Sequence, residues 1–127
     1  MGDKIRVGVI GAGGIGRIHI SSYQQTGKAE VVAVSDTNLN KVRKTQEEFN
    51  IPKGYKDYEE MLEMENLDAV SICTPNFLHV SQSISSLDRG CHVLLEKPMA
   101  TNTHEAKKIV EKVRESEKIL MLGMTWR

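Results

Sequence analysis

Short apolar runs recur along this chain at intervals that a helix can fill. "IRVGVI" (Ile5–Ile10), "VVAVSD" (Val31–Asp36), "DAVSIC" (Asp68–Cys73), "HVLLE" (His92–Glu96) and "ILMLG" (Ile119–Gly123) have strand length and are rich in Val and Ile. A weaker candidate lies near Gly54-Tyr55. Between these runs the apolar spacing changes. Val80, Ile84 and Leu87 fall on one helical face ahead of a stop at Gly90. Ala106, Ile109, Val110 and Val113 do the same, with Lys and Glu on the other faces, and Asn102 or Thr103 can cap that helix. Leu39, Val42 and Phe49 mark a more polar, outer helix. Repeated strand–helix alternation predicts an α/β fold, a doubly wound parallel sheet with helices on both faces. Right-handed crossovers leave few topologies, and the strand order 3-2-1-4-5-6 leads among them. Its ligand crevice lies at the carboxyl ends of the strands, where the order reverses between strands 1 and 4.

The 127 residues suffice for one domain with a real core, and no repeat, low-complexity stretch or linker divides residues 1–127. Formal net charge is zero, so there is no electrostatic case for nucleic acid or an anionic membrane. No apolar run approaches the ~20 residues of a membrane span. Met1-Gly2-Asp3-Lys4 does not open a signal peptide, because the apolar run after it is short and broken by Arg6 and glycines. Cys73 and Cys91 are not spaced like metal ligands and read as reduced, buried thiols of a cytoplasmic protein. The acidic stretch Asp57–Asp68 reads as a solvated helix face, so no metal site is expected. Met61, Met64, Met121 and Met124 read as core or edge fill, His19 as a packing residue, and His92 and His104 as surface residues.

The first strand runs directly into Gly11-x-Gly13-x-x-Gly16, and a helical pattern (Ile15, Ile18, Ser22, Tyr23) follows. In that context Gly11 makes the tight turn, Gly13 lets the backbone approach a pyrophosphate, and Gly16 lets the helix pack on the strand. The helix N-terminus then offers free N–H groups and the positive end of its dipole. Arg17-Ile18 stands where a Walker-type loop needs Lys-Ser/Thr, so this is a dinucleotide loop and not a nucleoside-triphosphate loop. Asp36 closes the second strand twenty residues past Gly16. A carboxylate there can accept both ribose hydroxyls of an adenosine and repels the 2′-phosphate of NADP, so NAD is the favoured cofactor. Lys41, Arg43 and Lys44 follow and soften that preference. The competing reading of Asp36 is a helix cap for the segment starting near Asn38.

Two further turns lie at strand ends: Thr74-Pro75-Asn76-x-x-His79, and Glu96-Lys97-Pro98 after "HVLLE". Charges ending a core strand must be wet, paired or ligand-bound. With the glycine loop and Asp36, these turns make the chain resemble the N-terminal domain of the Gfo/Idh/MocA family, the glucose–fructose oxidoreductase and inositol dehydrogenase group, over essentially its whole length. The resemblance implies a Rossmann fold in which Gly11, Gly13, Gly14, Ile15 and Gly16 line the pyrophosphate and Asp36 holds the adenosine ribose. It further implies that Thr74, Pro75, Asn76 and His79 border the nicotinamide half. Glu96, Lys97 and Pro98 would face the nicotinamide ribose and the substrate, with Lys97 in the proton path. A lysine beside a positively charged nicotinamide has its pKa lowered, which suits that task.

The family's second domain, which carries the substrate pocket, oligomer contacts and further acid–base groups, is not expected within these residues. The leading expectation is therefore the NAD(P)-binding domain of an oxidoreductase acting on a secondary alcohol of a sugar, inositol or polyol, binding cofactor but inactive alone. A non-catalytic NAD(H) sensor, or the cofactor domain of an NAD-dependent glycoside-cleaving enzyme, are the alternatives. The apolar last strand would then leave an edge open to self-association.

Overall fold

A computed structural model of the chain describes residues 4–96, 100 and 102–123. The elements follow one another as β1 (Ile5–Ile10), α1 (Gly14–Thr26), β2 (Ala29–Ser35), α2 (Leu39–Phe49), β3 (Lys53–Tyr55) and α3 (Tyr58–Met64). They continue as β4 (Ala69–Ile72), a 3₁₀ turn (Asn76–Leu78), α4 (His79–Asp88), β5 (His92–Glu96), α5 (Thr103–Ser116) and β6 (Leu120–Gly123). All strand pairs are parallel, in the order β3-β2-β1-β4-β5-β6. This is the doubly wound order expected from the alternation, with its reversal between β1 and β4.

Alternation along the strands divides the core between two faces of the sheet. Val7 and Val9 of β1 and Val31 and Val34 of β2 pack with Ile20 of α1 and Val42 of α2. Ile10, Val32, Val70, Ile72, Val93 and Leu95 pack on the other face with Met61 of α3, Leu87 of α4 and Ile109 of α5. Local chemistry sets the helix ends. The Asn38 side chain accepts from the Asn40 and Lys41 N–H groups, Asp57 from Glu59, and Asn102 from Glu105. Of the two candidate caps for α5, Asn102 is the one used.

Two patterns differ from expectation. The buried face of α4 is broader than the apolar set Val80, Ile84 and Leu87: Leu87 is in the core and Val80 packs against that core, but the buried residues also include His79, Gln82, Ser83 and Ser86. This helix lies against both β5 and α5, and short serines let it approach closely. The Ser86 hydroxyl is satisfied inside its own helix, donating to the Gln82 carbonyl at 2.8 Å. Among the methionines, Met61 is core, but Met64 and Met121 are exposed; Met124 lies outside the described residues. β6 is an edge strand, so a side chain there has one neighbour instead of two.

Candidate functional site

The turn after β1 is held from three directions. Gly11 has φ +110°, in the region that favours glycine, and its N–H donates to the Ser35 carbonyl at 2.8 Å. A Cβ on Gly11 would lie 2.6 Å from the Cys73 carbonyl oxygen, so the turn is pressed against the end of β4. A Cβ on Gly16 would lie 2.0 Å from the Gly11 carbonyl oxygen, so α1 can cross β1 this closely only with glycine there. Gly13 and Gly14 are different. A Cβ on either meets open space, and Gly13 has φ −84°, which any residue adopts. Neither packing nor backbone conformation requires glycine at 13. Gly13 is also the N-cap of α1 and makes no side-chain cap, so the first N–H groups of the helix have no such partner.

Asp36 stands just past the end of β2 and joins this turn. Its Oδ2 accepts the Ala12 N–H at 2.9 Å and its Oδ1 accepts the Asn38 N–H at 2.9 Å. The helix-capping role belongs to Asn38. The Asp36 carboxylate is therefore held rigidly by two backbone donors, and each oxygen keeps further acceptor capacity for a diol.

A cavity of about 290 Å³ opens beside it, lined by Gly11, Asp36, Thr37, Lys56, Thr74 and Phe77 among others. Lys56 is the base on this wall; Lys41, Arg43 and Lys44, expected from the sequence to sit near Asp36, do not line the cavity. Thr74 and Pro75 line it as well, so the turn after β4 faces the Asp36 side of the crevice. Its internal bracing explains the spacing of the motif. Thr74 Oγ1 donates to Gln82 Oε1 at 2.5 Å, and His79 Nε2 lies 2.9 Å from the Thr74 carbonyl oxygen. His79 is only 1% exposed and braces the turn through this contact. Asn76 is exposed on the 3₁₀ turn.

At the end of β5 the carboxylate is paired. Glu96 is 8% exposed, and its Oε2 lies 2.5 Å from His19 Nε2 on α1. An ionised carboxylate accepts in such a pair, with the imidazole Nε2–H as donor. His19 is thus a polar tie between α1 and β5 and not the packing residue expected. Lys97 and Pro98 lie outside the described residues. Near this pair, burial and then the Glu96 charge push the Cys73 thiol pKa up, so it stays protonated and inert as a nucleophile. Tyr23 also has its pKa raised, chiefly by burial, and its hydroxyl lies 2.5 Å from Ser71 Oγ. His92 is more than a surface residue: its Nδ1 accepts the Ile119 N–H at 3.0 Å and so fixes the entry to β6.

Sequence reasoning missed Lys56, Phe77 and Gln82 as well as the His19–Glu96 pair. Only His19 carried a signal, its place on the helix that starts at the glycine loop. The site can hold an anion at the α1 N-terminus and a diol at Asp36, which suits a dinucleotide. Among the described residues no group of three or more His, Cys, Asp or Glu could hold a metal ion, and no helix is long and apolar enough to cross a membrane.

Residues 5–124 match the family model for GFO_IDH_MocA, the oxidoreductase family with an NAD-binding Rossmann fold. The chain is 32% identical to myo-inositol 2-dehydrogenase of Thermotoga maritima, over 97% of this chain and 37% of that protein. It is 33% identical to D-glucoside 3-dehydrogenase of Escherichia coli, over 93% of this chain and 34% of that protein. The solved structure of a WlbA dehydrogenase from Chromobacterium violaceum, in complex with NADH and UDP-GlcNAcA, superposes with a TM-score of 0.91 at 30% identity, over 97% of this chain and 36% of that one. The chain spans about a third of the length of these relatives.

Proposed function

The chain belongs to the Gfo/Idh/MocA oxidoreductase family as its NAD-binding Rossmann fold, and on that premise we propose that it is the cofactor half of a dehydrogenase acting on a secondary alcohol of a sugar, inositol or related polyol. The observation that carries the reading is Gly13. Neither φ nor packing demands glycine there, yet its missing side chain leaves the uncapped end of α1 open to a phosphate. Gly11 and Gly16 shape the turn; Gly13, Gly14 and Ile15 face the pyrophosphate. Asp36 takes the adenosine ribose, and Lys56 beside it tempers the exclusion of NADP. Thr74, Pro75 and Asn76 follow the cofactor from that side, with His79 and Gln82 holding them in place.

NAD, when bound, supplies the hydride acceptor. The residues of the chain supply the proton path: the substrate hydroxyl proton passes to the Lys97 amine as the carbinol carbon loses its hydride. Glu96 and Pro98 flank that lysine. Hydride transfer also needs a substrate held at near-attack distance. We infer that residues 1–127 form one cofactor-binding domain that turns over little or nothing without a substrate domain of the kind its longer relatives have room for. The exposed apolar residues of β6 favour self-association of the isolated domain. The unpaired thiols of Cys73 and Cys91 support a cytoplasmic location.

Calorimetric titration with NAD, NADH and NADP tests the reading. Saturable NAD binding with weaker NADP binding is expected. A folded chain with no dinucleotide affinity overturns it, and strong NADH-over-NAD discrimination would turn it toward a sensor.

A further inference from the structure

The two halves of the crevice are built from different strands. Asp36 and its cavity lie past β2, on one side of β1, and Glu96 ends β5, on the other. A dinucleotide whose adenosine ribose takes the acid after β2 must carry its second nucleoside across the reversal, toward β4 and β5. The polar tie on that second side joins residues 77 positions apart, His19 on α1 and Glu96 at the last position of β5.

We propose that His19 is a positioning residue for the nicotinamide half of the site, acting through Glu96. This inference rests on the dinucleotide reading above. His19 follows Gly16 by one helical turn, so it is rigidly joined to the helix whose N-terminus faces the pyrophosphate. Its bond to Glu96 fixes the end of β5 against that helix. The side chains of both partners are about one-tenth exposed, 11% for His19 and 10% for Glu96, so water competes poorly for the bond. Among the described residues, His19 Nδ1 is buried without a hydrogen-bond partner, leaving Nε2 as the ring's one polar anchor there. The residue after Glu96 in the chain is Lys97. The tie therefore fixes the end of β5, the position before Lys97, relative to the pyrophosphate end of α1. His19 needs no contact with cofactor or substrate to do this.

A comparison of NAD with ADP-ribose, which lacks the nicotinamide, isolates the effect. The 127-residue chain is titrated with both by calorimetry, as parent, His19→Phe and His19→Gln. Phe keeps the ring volume and removes the polar ring atom; Gln places an amide group where Nε2 stands. The parent is expected to prefer NAD over ADP-ribose. His19→Phe is expected to lose roughly tenfold in NAD affinity, in line with one lost hydrogen bond. Its ADP-ribose affinity is unchanged, and His19→Gln keeps most of the NAD preference. A melting curve confirms that each variant is folded; if His19→Phe does not fold, His19→Ala at lower temperature replaces it and His19→Gln still reads the preference. Equal weakening of both ligands, no weakening of either, or a parent with no preference for NAD overturns the positioning role while leaving the cofactor reading intact. A folded parent that binds neither ligand overturns both.

Discussion

Asp36 Oδ2 accepts the Ala12 N–H at 2.9 Å, so the acid past β2 and the glycine turn after β1 form one hydrogen-bonded unit. The residue that we propose selects the ribose also shapes the glycine turn. Asp36→Ala should therefore do two things at once. It removes acceptors from two backbone donors, Ala12 and Asn38, at a half-buried position, which costs about 1–2 kcal/mol of stability. It also lowers NAD affinity and narrows the gap to NADP, because the repulsion of the 2′-phosphate goes while Lys56 stays. Denaturant melts and parallel titrations check both. Unchanged discrimination between NAD and NADP would confine Asp36 to the turn.

Gly13 and Gly16 should separate binding from folding. A side chain on Gly16 drives a Cβ into the Gly11 carbonyl, so Gly16→Ala should cost about 3 kcal/mol or more, as an overpacked core contact that backbone cannot relieve. Gly13→Val places its methyls in open space and costs only about 1 kcal/mol at the N-cap. Its NAD affinity should fall at least roughly a hundredfold, since the space is the one a phosphate needs. Equal destabilisation by the two substitutions would return Gly13 to a structural role.

How far the sequence alone reaches follows from what each feature depends on. The strand order was legible because short Val- and Ile-rich runs separated by helical spacing admit few right-handed arrangements. The turn role of Gly11 and the packing role of Gly16 were legible because each is local to one turn. The α4 face was legible only in part, because a helix pinched between a sheet and another helix also buries small serines beside Leu87 and Val80. The His19–Glu96 tie and the place of Lys56 were not, because both depend on how separate crossovers bring distant residues together. The role of His79 in bracing its turn was not legible, because it depends on a contact with the Thr74 carbonyl that the motif does not specify.

Tyr55 makes stability pH-dependent in alkali. Its hydroxyl donates to Glu65 Oε2 at 2.5 Å, and burial first, then the bond to Glu65, push its pKa up to about 12 from 10.0. In the unfolded chain the phenol ionises at its ordinary value, while in the folded chain it keeps its proton to about 12. The folded state then binds more protons over that interval, so its stability is whole below pH 10 and declines up to about pH 12. Tyr55→Phe removes both the bond and the titration. The variant should be less stable at neutral pH, and the two stability curves should converge between pH 10 and about 12. Parallel curves across that interval would show that the phenol does not titrate with folding.

The open edge of the sheet should govern behaviour in solution. Ile119, Met121 and Leu122 are 60%, 62% and 45% exposed, on or beside β6, which pairs with β5 on one side. An edge strand with apolar side chains and free backbone groups templates another strand. The purified chain should show a mass that rises with concentration, and Met121→Lys, which places a charge on that edge, should hold it at the monomer mass without loss of NAD affinity. Sedimentation of both proteins reads this directly. A parent that stays monomeric at every accessible concentration would show that the edge is protected in solution, and a variant that still associates would move the contact to another surface.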